Sequence, residues 1–376
     1  MTGMLARGRP VPFAALTLAL VLGSCAAPSA GPLVDPFPPR FPLAEAGSMA
    51  IDGAVAGQPR ARDAVVYFAT RDGRLTAVVA PSRAALWRFQ ADGPLSAGPE
   101  LGGDQVVIRD DAGTVYALDA RRGALAFKRA VAGPVSTAVR GTEGRIFLGT
   151  ANGVAMALDA ANGGATLWET ALGAAVTAGP VFDGPRVLFG CADGRLHALD
   201  AAGRPAWTFA ARGAIRADPC AGGGRVFFGT EERLFYALDG ATGRARWSRR
   251  LQGAPVHPPV FRGSRLVVAA SNSVVHVLAA RGGSVLSWEA VPSRIVHEPA
   301  LSGPLVLVAS GGPGLVGLDL ATGRAAGRHA ASGPLATGAL WLSPEVVLVV
   351  EDSETGRQRL VFLRRDLPAN PAAKVP

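Results

Sequence analysis

Short apolar runs recur at a nearly constant spacing along this chain. They are rich in β-branched and aromatic residues, as in "VVYFAT", "RIFLGT" and "RVFFGT". Eight such runs end at Thr70, Asp110, Thr150, Cys191, Thr230, Ala270, Ser310 and Val350. The steps between these ends are 39 to 41 residues. Runs of this length and composition predict buried β-strands, and a fixed period predicts a repeat architecture.

Each repeat continues in a similar way after its first strand. A turn that often contains glycine, such as "RDGR" or "ANGV", leads to a second strand that in most repeats closes on a Leu-Asp pair. A turn of the "ATGR" type leads to a third strand with an aromatic residue, and a glycine-led segment makes a fourth. The aromatic positions are assigned to Trp87, Phe127, Trp168, Trp207, Trp247 and Trp288. Four strands in about forty residues predict one blade of a β-propeller.

The stretch "YALDGATGRARW" resembles the repeat of the pyrroloquinoline-quinone (PQQ)-type β-propellers. This resemblance implies that the aromatic residue docks between neighbouring blades and locks them together. A broad, rigid ring suits the wedge between two twisted sheets. The Asp and the Thr-Gly pair suit the connecting turn, where a short acceptor side chain and a positive φ are needed.

The number of repeats predicts eight blades, with seven as the alternative. The last repeat, "EVVLVVEDSETGRQRLVFLRRD", ends after two strands, whereas "FPLAEAGSMAIDGAV" near the N-terminus has enough residues for two more. We therefore expect N-terminal strands to complete the last blade and close the ring without exposed edges. The predicted fold is all-β, an eight-bladed propeller of four-stranded blades over residues 43–366, with a disordered tail at 367–376.

The N-terminal residues have a different pattern from the repeats. "MTGMLARGRPVPFAALTLALVLGSC" has two arginines, a short apolar run and small residues, which predicts an export signal over residues 1–24. Its end resembles the bacterial lipobox, which implies cleavage before Cys25 and lipid attachment to that thiol; a plain signal peptide is the alternative. Ala26 in place of aspartate implies the outer membrane. Residues 25–42 are proline-rich and predict a stiff spacer.

Charge narrows the classes of partner. The chain has 376 residues and a formal net charge of +9, but no basic run is longer than a pair of arginines. No basic stripe with interleaved aromatic residues is present either, so we expect no nucleic-acid partner. A mildly basic surface favours anionic lipid or acidic partners, or is simply solvated.

The fourth segments of the repeats are predicted to be the innermost strands around a central channel. One register of these segments is assigned to Ser96, Ser136, Thr177, Arg216, His257, His297 and Ala336. His257 and His297 would lie on adjacent blades. Glu298 follows His297, and Asp218 lies close in sequence to Arg216; imidazole and carboxylate are metal-ligand types. Because no third ligand has a fixed spacing, a polar wall of a wet channel is the favoured interpretation.

No catalytic arrangement is recognised in the sequence. Quinoprotein dehydrogenases use the PQQ-type repeat around PQQ and calcium, and many carry a disulfide between adjacent cysteines, but no two cysteines are adjacent here. The channel register has no cluster of oxygen ligands that would suit calcium. We therefore expect no enzyme activity, cofactor or metal site. Cys191 and Cys220 either form a disulfide or remain as two buried thiols.

A lipid-anchored PQQ-type propeller without quinone ligands resembles the BamB-type lipoproteins of the outer-membrane β-barrel assembly machinery, and the resemblance covers nearly the whole chain. It implies a non-catalytic scaffold, a monomer within a complex, whose partner is a periplasmic or outer-membrane protein such as the barrel-assembly core protein. No short motif corresponds to that family's partner-binding loops. Two alternatives are a PQQ- and calcium-dependent oxidoreductase, and a propeller that binds a small ligand or cell-wall polymer through Arg216, His257 and His297.

Overall fold

The fold was described from a computed structural model, which describes residues 41–142, 144–343, 345–351 and 355–365. These residues form 32 β-strands in eight four-stranded antiparallel sheets arranged in a ring, and no helix is present in these ranges. The predicted signal segment, Cys25 and the residues predicted as a tail lie outside the described residues, as does the spacer up to residue 40.

The strands occupy four equivalent positions in the eight blades. The innermost strands are β2 (Val55–Arg62), β6 (Glu100–Gly102), β10 (Arg140–Thr142), β14 (Val176–Asp183), β18 (Cys220–Gly222), β22 (Val260–Arg262), β26 (Ala300–Ser302) and β30 (Leu340–Leu342). The second strands are β3 (Val65–Thr70), β7 (Gln105–Arg109), β11 (Arg145–Gly149), β15 (Arg186–Cys191), β19 (Arg225–Gly229), β23 (Arg265–Ala269), β27 (Leu305–Ala309) and β31 (Glu345–Glu351).

The outer half of each blade is built in the same way. The third strands are β4 (Arg74–Val79), β8 (Thr114–Asp119), β12 (Val154–Asp159), β16 (Arg195–Leu199), β20 (Leu234–Asp239), β24 (Val274–Ala279), β28 (Gly314–Asp319) and β32 (Gln358–Arg365). The outermost strands are β5 (Ala84–Gln90), β9 (Leu125–Ala130), β13 (Ala165–Ala171), β17 (Pro205–Ala210), β21 (Ala245–Arg250), β25 (Val285–Ala290), β29 (Ala325–Ala330) and β1 (Leu43–Ile51).

Burial follows from the position of a strand in its blade. The second and third strands lie between two neighbouring blades, so both of their faces are covered, and β3 buries five of its six residues. The outermost strand β5 buries none of its seven residues. This difference explains why the recurrent apolar runs in the sequence correspond to the second strands: a strand covered on both faces needs a continuous rather than an alternating apolar pattern.

The last blade is completed by the N-terminal part of the chain. Its strand order is β1-β32-β31-β30, and β1 pairs with β32 from Leu43 opposite Arg365 to Ile51 opposite Gln358. The predicted closure and the eight-blade count are therefore confirmed. A single N-terminal strand completes blade 8, because the next strand, β2, is already the innermost strand of blade 1. All eight sheets are complete within residues 41–365.

The ring has two faces with different kinds of connection. The turn face carries the short turns between innermost and second strands and between third and outermost strands. The loop face carries the turns between second and third strands and the long segments that lead to the next blade. Each outermost strand starts at the turn face, and β1 is the outermost strand of blade 8. The chain therefore enters blade 8 at the turn face.

Aromatic residues on five outermost strands lock neighbouring blades together. Each ring covers a positive-φ glycine in a turn of the next blade, and a Cβ at that glycine would lie 2.5–2.6 Å from the ring. The pairs are Trp87 with Gly123, Phe127 with Gly164, Trp168 with Gly203, Trp207 with Gly243 and Trp247 with Gly283. The indole N–H of Trp207 also donates to the carbonyl of Gly240 at 2.9 Å. Any larger residue in these turns would push the ring out of the space between the blades.

Blade 6 departs from the sequence prediction. Ser287 pairs with Val277 just as Trp247 pairs with Ala237, so Ser287 occupies the docking position, and its hydroxyl donates to the carbonyl of Gly323 at 3.1 Å. Trp288 is one residue further along the strand and is 64% exposed. Adjacent residues of a strand point to opposite faces, so an offset of one removes the ring from the blade interface. The assignment of Trp288 to blade docking was wrong.

Blade 7 has no aromatic residue on its own docking position, which is Gly327. The ring of Phe41, just ahead of β1, lies there instead, against Gly317 and Gly327, and a Cβ at either glycine would overlap Phe41. Gly317 and Gly327 are paired with each other on β28 and β29. The N-terminal segment thus supplies the aromatic side chain that blade 7 lacks.

Candidate functional site

Charged side chains of several blades meet around the axis of the ring. The guanidinium of Arg60 in blade 1 lies 2.7 Å from Glu100 in blade 2 and 3.9 Å from Glu298, which leads into blade 7. In the same way, Arg140 in blade 3 lies 2.9 Å from Asp218, which leads into blade 5. Blades that are not neighbours can make such contacts only across the central channel.

Burial and pairing set the charge states of these groups. Burial raises the pKa of the Asp218 carboxyl, although Arg140 and the backbone N–H of Gly179, at 2.6 Å, both favour its ionised form. Burial would also raise the pKa of Glu100, but the nearby cations Arg60 and Arg140 outweigh it and lower that pKa. Glu100 is therefore held as a carboxylate, and Asp218 is the channel group that takes up a proton more readily than an ordinary aspartate.

A cavity of about 200 Å³ opens beside these ion pairs. Its lining includes Arg60, Glu100, Glu298 and Arg109 of β7. The Nε of Arg109 is buried and has no hydrogen-bond partner among the described residues, and burial lowers the pKa of this guanidinium. The lining combines these charged groups with apolar side chains such as Val107 and Ile108, and the volume is below the 300–1,000 Å³ that is usual for ligand pockets.

The side chain of Gln58 closes the inner wall between the first and last blades. Its amide N–H donates to the carbonyl of Gly338 at 3.0 Å, and its amide oxygen accepts from the N–H of Gly338 at 2.8 Å. The two hydrogen bonds join residues 280 positions apart. They complement the β1–β32 pairing at the outer edge of blade 8.

The predicted funnel residues do not form one ring. The backbone N–H groups of Ser136, Val256 and Ala336 make the same hydrogen bond to the second strand of their blades, so these three are equivalent. His257 is thus one residue beyond the position of Ser136. Ile295 is equivalent to Val135, because its bridge to Ser310 matches that of Val135 to Thr150. His297 therefore also lies one residue beyond the position of Ser136. The forty-residue spacing leads from Arg216 to Val256 and back from Ala336 to Val296, so the two histidines were assigned one residue too far along the chain.

Four of the predicted residues link neighbouring blades instead. Each side chain hydrogen-bonds to a backbone carbonyl of the next blade, at distances between 2.5 and 3.4 Å. The pairs are Ser136 with Val176, Thr177 with Ile215, His257 with Ile295 and His297 with Leu335. Burial lowers the pKa of both histidines, which favours their neutral forms.

The remaining two predicted residues lie on the loop face. Arg216 is exposed and forms an ion pair with Glu231, and Ser96 is exposed ahead of β6. The cavity lining includes none of the six predicted residues. In the described part of the chain, no group of three or more His, Cys, Asp or Glu side chains could hold a metal ion. The structure therefore does not assemble the arc of Arg216, His257 and His297.

Sequence reasoning missed the ion pairs of the channel. Arg60, Glu100 and Arg140 recur at a spacing of forty residues, which places them at the same position in three consecutive repeats. Charged residues at one position of a repeat that is otherwise apolar or small were a usable signal.

Cys191 is free and buried, so no disulfide joins it to Cys220. Burial, with a smaller effect of Asp193, raises the pKa of its thiol to about 12. Cys191 therefore behaves as a small apolar side chain in the interface between blades 3 and 4.

A family model described as "outer membrane protein assembly factor BamB" matches residues 71–165, 160–257 and 249–365. This chain belongs to the BamB family. The match extends from blade 1 to the last strand of the ring, so the membership concerns the propeller as a whole. No curated protein matches the BamB-family chain.

Three solved structures share the fold of this BamB-family chain. BamB from Moraxella catarrhalis is 21% identical, with a TM-score of 0.71, and the match covers 87% of this chain and 98% of that one. The computationally designed Ika8 protein is 18% identical, with a TM-score of 0.75 and coverage of 85% and 99%. A europium-containing methanol dehydrogenase is 11% identical, with a TM-score of 0.68 and coverage of 85% and 93%. At these identities the similarity shows the fold alone.

The channel of this BamB-family chain does not fit a quinone with a metal ion. Glu100, Asp218 and Glu298 each lie within 4 Å of an arginine, with Glu298 the most distant at 3.9 Å from Arg60. Calcium prefers six to eight oxygen ligands. The residues of the channel therefore favour internal ion pairs over a metal-bound cofactor.

Proposed function

We propose that this BamB-family chain is a non-catalytic scaffold in the assembly of outer-membrane proteins. The observation that carries the proposal is the family match over residues 71–365, which contains part or all of each of the eight blades. The channel supports it, because Arg60, Glu100, Arg140 and Asp218 form ion pairs with one another and the cavity beside them, of about 200 Å³, is smaller than usual ligand pockets. A PQQ- and calcium-dependent oxidoreductase is not favoured for the same reason.

A propeller of this kind suits a scaffold because its blades are locked to one another. Five aromatic rings, Phe41 and the polar links between blades fix the relative positions of the loops. The outermost strands present a free edge in every blade, and such edges can take up an extended segment of a partner by β-augmentation. We propose that a periplasmic or outer-membrane partner, such as the barrel-assembly core protein, binds through these loops and edges.

We also propose that the chain is exported by residues 1–24 and attached to the periplasmic side of the outer membrane through lipid on Cys25. Residues 25–42 would connect the lipid anchor to the propeller. The lipobox-like end of the signal segment and the proline-rich composition support this location. Among the described residues, no helix is long and apolar enough to cross a membrane. Replacement of Cys25 by serine is expected to release the protein into the soluble periplasmic fraction.

The proposal is tested by purification of the tagged full-length chain from gently solubilised envelopes, followed by mass spectrometry of the proteins that come with it. We expect recovery of the barrel-assembly core protein. An Arg109→Gln variant is the matched control, because it changes the cavity without touching the exposed loops, and it should retain the same partners.

Two results would contradict the proposal. Absence of the core protein from the purified material, while its complex is intact in the same envelopes, would rule out the scaffold role. Loss of the partners from the Arg109→Gln variant, with the fold unchanged by circular dichroism, would instead assign function to the cavity and support a propeller that binds a ligand.

A further inference from the structure

The two faces of the ring carry opposite charge in their connections. In the described residues, the turns of the turn face contain seven arginines and three aspartates. The arginines are Arg83, Arg121, Arg122, Arg204, Arg244, Arg281 and Arg324, and the aspartates are Asp63, Asp104 and Asp200. The excess on this face is positive.

The loop face has the reverse balance, with six arginines and ten acidic residues in its described connections. The arginines are Arg71, Arg212, Arg216, Arg233, Arg294 and Arg357. The acidic residues are Asp52, Asp72, Asp92, Asp110, Asp111, Asp193, Asp218, Glu231, Glu232 and Glu298. When the first and last residues of every strand are also counted, the turn face remains the more basic of the two faces.

Asp63 and Asp104 of the turn face are exposed, but the aspartates that end its third strands are engaged by their own turns. The carboxylates of Asp119, Asp159 and Asp319 accept hydrogen bonds from backbone N–H groups of their own turns. Four arginines in the equivalent turns of blades 2, 5, 6 and 7 are exposed, and their side chains form no ion pair within the described residues. They are Arg122, Arg244, Arg281 and Arg324.

The chain that precedes the propeller leaves from this same face. The outermost strand β1 begins at the turn face with Leu43, and Phe41 is held between blades 7 and 8. The first forty residues, with Cys25 among them, therefore connect to the basic side of the ring. A lipid anchor at Cys25, which belongs to the proposed function, would bring this side closest to the bilayer.

We propose that the turn face of the propeller docks on an anionic phospholipid surface. Each arginine near such a surface contributes about 1 kcal/mol, or roughly a fivefold change in partitioning, and the effect falls off within a Debye length of about 10 Å. The loop face, with its acidic excess and its long segments between blades, then points away from the membrane toward protein partners.

The test uses residues 41–376, which contain the whole closed ring and no lipid anchor. Sedimentation with vesicles of phosphatidylglycerol and phosphatidylcholine is compared with sedimentation on phosphatidylcholine alone. A turn-face variant replaces Arg122, Arg244, Arg281 and Arg324 by glutamine. The matched loop-face variant replaces four exposed arginines, Arg71, Arg212, Arg294 and Arg357, and so has the same net charge.

We expect the protein to bind only to the anionic vesicles. The partition coefficient should fall at least about tenfold in the turn-face variant and less than about twofold in the loop-face variant. Equal losses in the two variants, or no binding to anionic vesicles, would overturn the proposal. The proposal would also be overturned if the turn-face variant kept its partition coefficient on anionic vesicles but lost an acidic protein partner. Because the turn-face variant is expected to retain its partners in the envelope purification, failure of docking and failure of the scaffold role are distinguishable.

Discussion

Blades 1–5 and blades 6–8 solve the same packing problem in different ways. Each of the first five blades places its own aromatic ring over a glycine of the next blade. Blade 6 uses the hydroxyl of Ser287, and blade 7 borrows Phe41 from the N-terminal segment. The repeat therefore supplies a contact between consecutive blades where its register is kept. The junctions on either side of blade 8 depend instead on residues far apart in the chain, Phe41 with Gly327 and Arg83 with Glu345.

The junction between blades 8 and 1 has a buried ion pair in the place of an aromatic ring of the repeat. Glu345 of β31 has a side chain that is only 4% exposed, and it lies 3.2 Å from Arg83 of blade 1 and 2.8 Å from Arg364 of its own blade. The guanidinium of Arg83 also lies 4.7 Å from the centre of the Phe362 ring. A buried carboxylate between two arginines thus replaces the docked ring where the two ends of the chain meet.

The largest expected effect concerns the regular half of the ring. Trp207→Ala is expected to lower the free energy of unfolding by about 3–5 kcal/mol, because it empties the space over Gly243 and removes the hydrogen bond to Gly240. Denaturant unfolding measures this. Trp288→Ala is the control and should change it by less than about 0.5 kcal/mol, because that ring is exposed. Similar losses in the two variants would erase the distinction between docked and undocked tryptophans.

The next effect concerns the junction of blades 8 and 1. Glu345→Gln is expected to destabilise the protein by about 3 kcal/mol, because it leaves the charges of Arg83 and Arg364 without their buried partner. The control is Glu231→Gln, which breaks an exposed pair with Arg216 and should cost less than about 1 kcal/mol. A small loss at Glu345 in the same denaturant titration would show that the strand pairing alone holds the ends together.

A smaller and more local effect is expected at blade 7. Phe41→Ala should cost about 1–2 kcal/mol, because it removes a partly buried ring from Gly317 and Gly327. Hydrogen exchange should then become faster in β28 and β29 and stay unchanged in β12 and β13. Phe41→Leu keeps much of the apolar contact and should show an intermediate change. Uniform acceleration across all blades would mean that Phe41 stabilises the ring globally rather than this junction.

The smallest effect compares equivalent histidines of blades 4 and 6. Burial lowers the pKa of both His197 and His276, so the folded protein holds them neutral. The unfolded chain binds protons at these groups as the pH falls below about 6.5, and stability should decrease there by at most about 1.4 kcal/mol per pH unit for each histidine. Above that pH both the folded and the unfolded protein hold these imidazoles neutral, so this loss of stability is absent.

Single variants separate the two histidines. His197 lies with its Nδ1 3.2 Å from the hydroxyl of Thr208, whereas neither ring nitrogen of His276 has a partner among the described residues. His276→Leu should therefore flatten the pH profile without loss of stability at pH 7.5, and His197→Leu should flatten it but also lose its hydrogen bond. Thermal melts between pH 5 and 7.5 measure both. An unchanged profile in His276→Leu would show that this ring is solvated and titrates normally.

The blade architecture could be predicted because its signals are local. Alternation of turn glycines with apolar runs marks each strand, and the forty-residue period counts the blades. The incomplete last repeat and the spare N-terminal segment together predict the closure that β1 makes with β32. The candidate site was harder to predict, since Arg60, Glu100 and Arg140 share only the spacing of the repeat, and their partners Asp218 and Glu298 come from distant repeats.

By itself the sequence determined the strands, the blade count and the way the ring closes, because side-chain periodicity and turn chemistry act over a few residues. Only the tertiary structure decided that Ser287 rather than Trp288 faces blade 7, that Phe41 fills the place left by Gly327, and that arginines and carboxylates pair across the channel. These contacts depend on the curvature that brings eight sheets around one axis, and the curvature arises from the packing of all blades together.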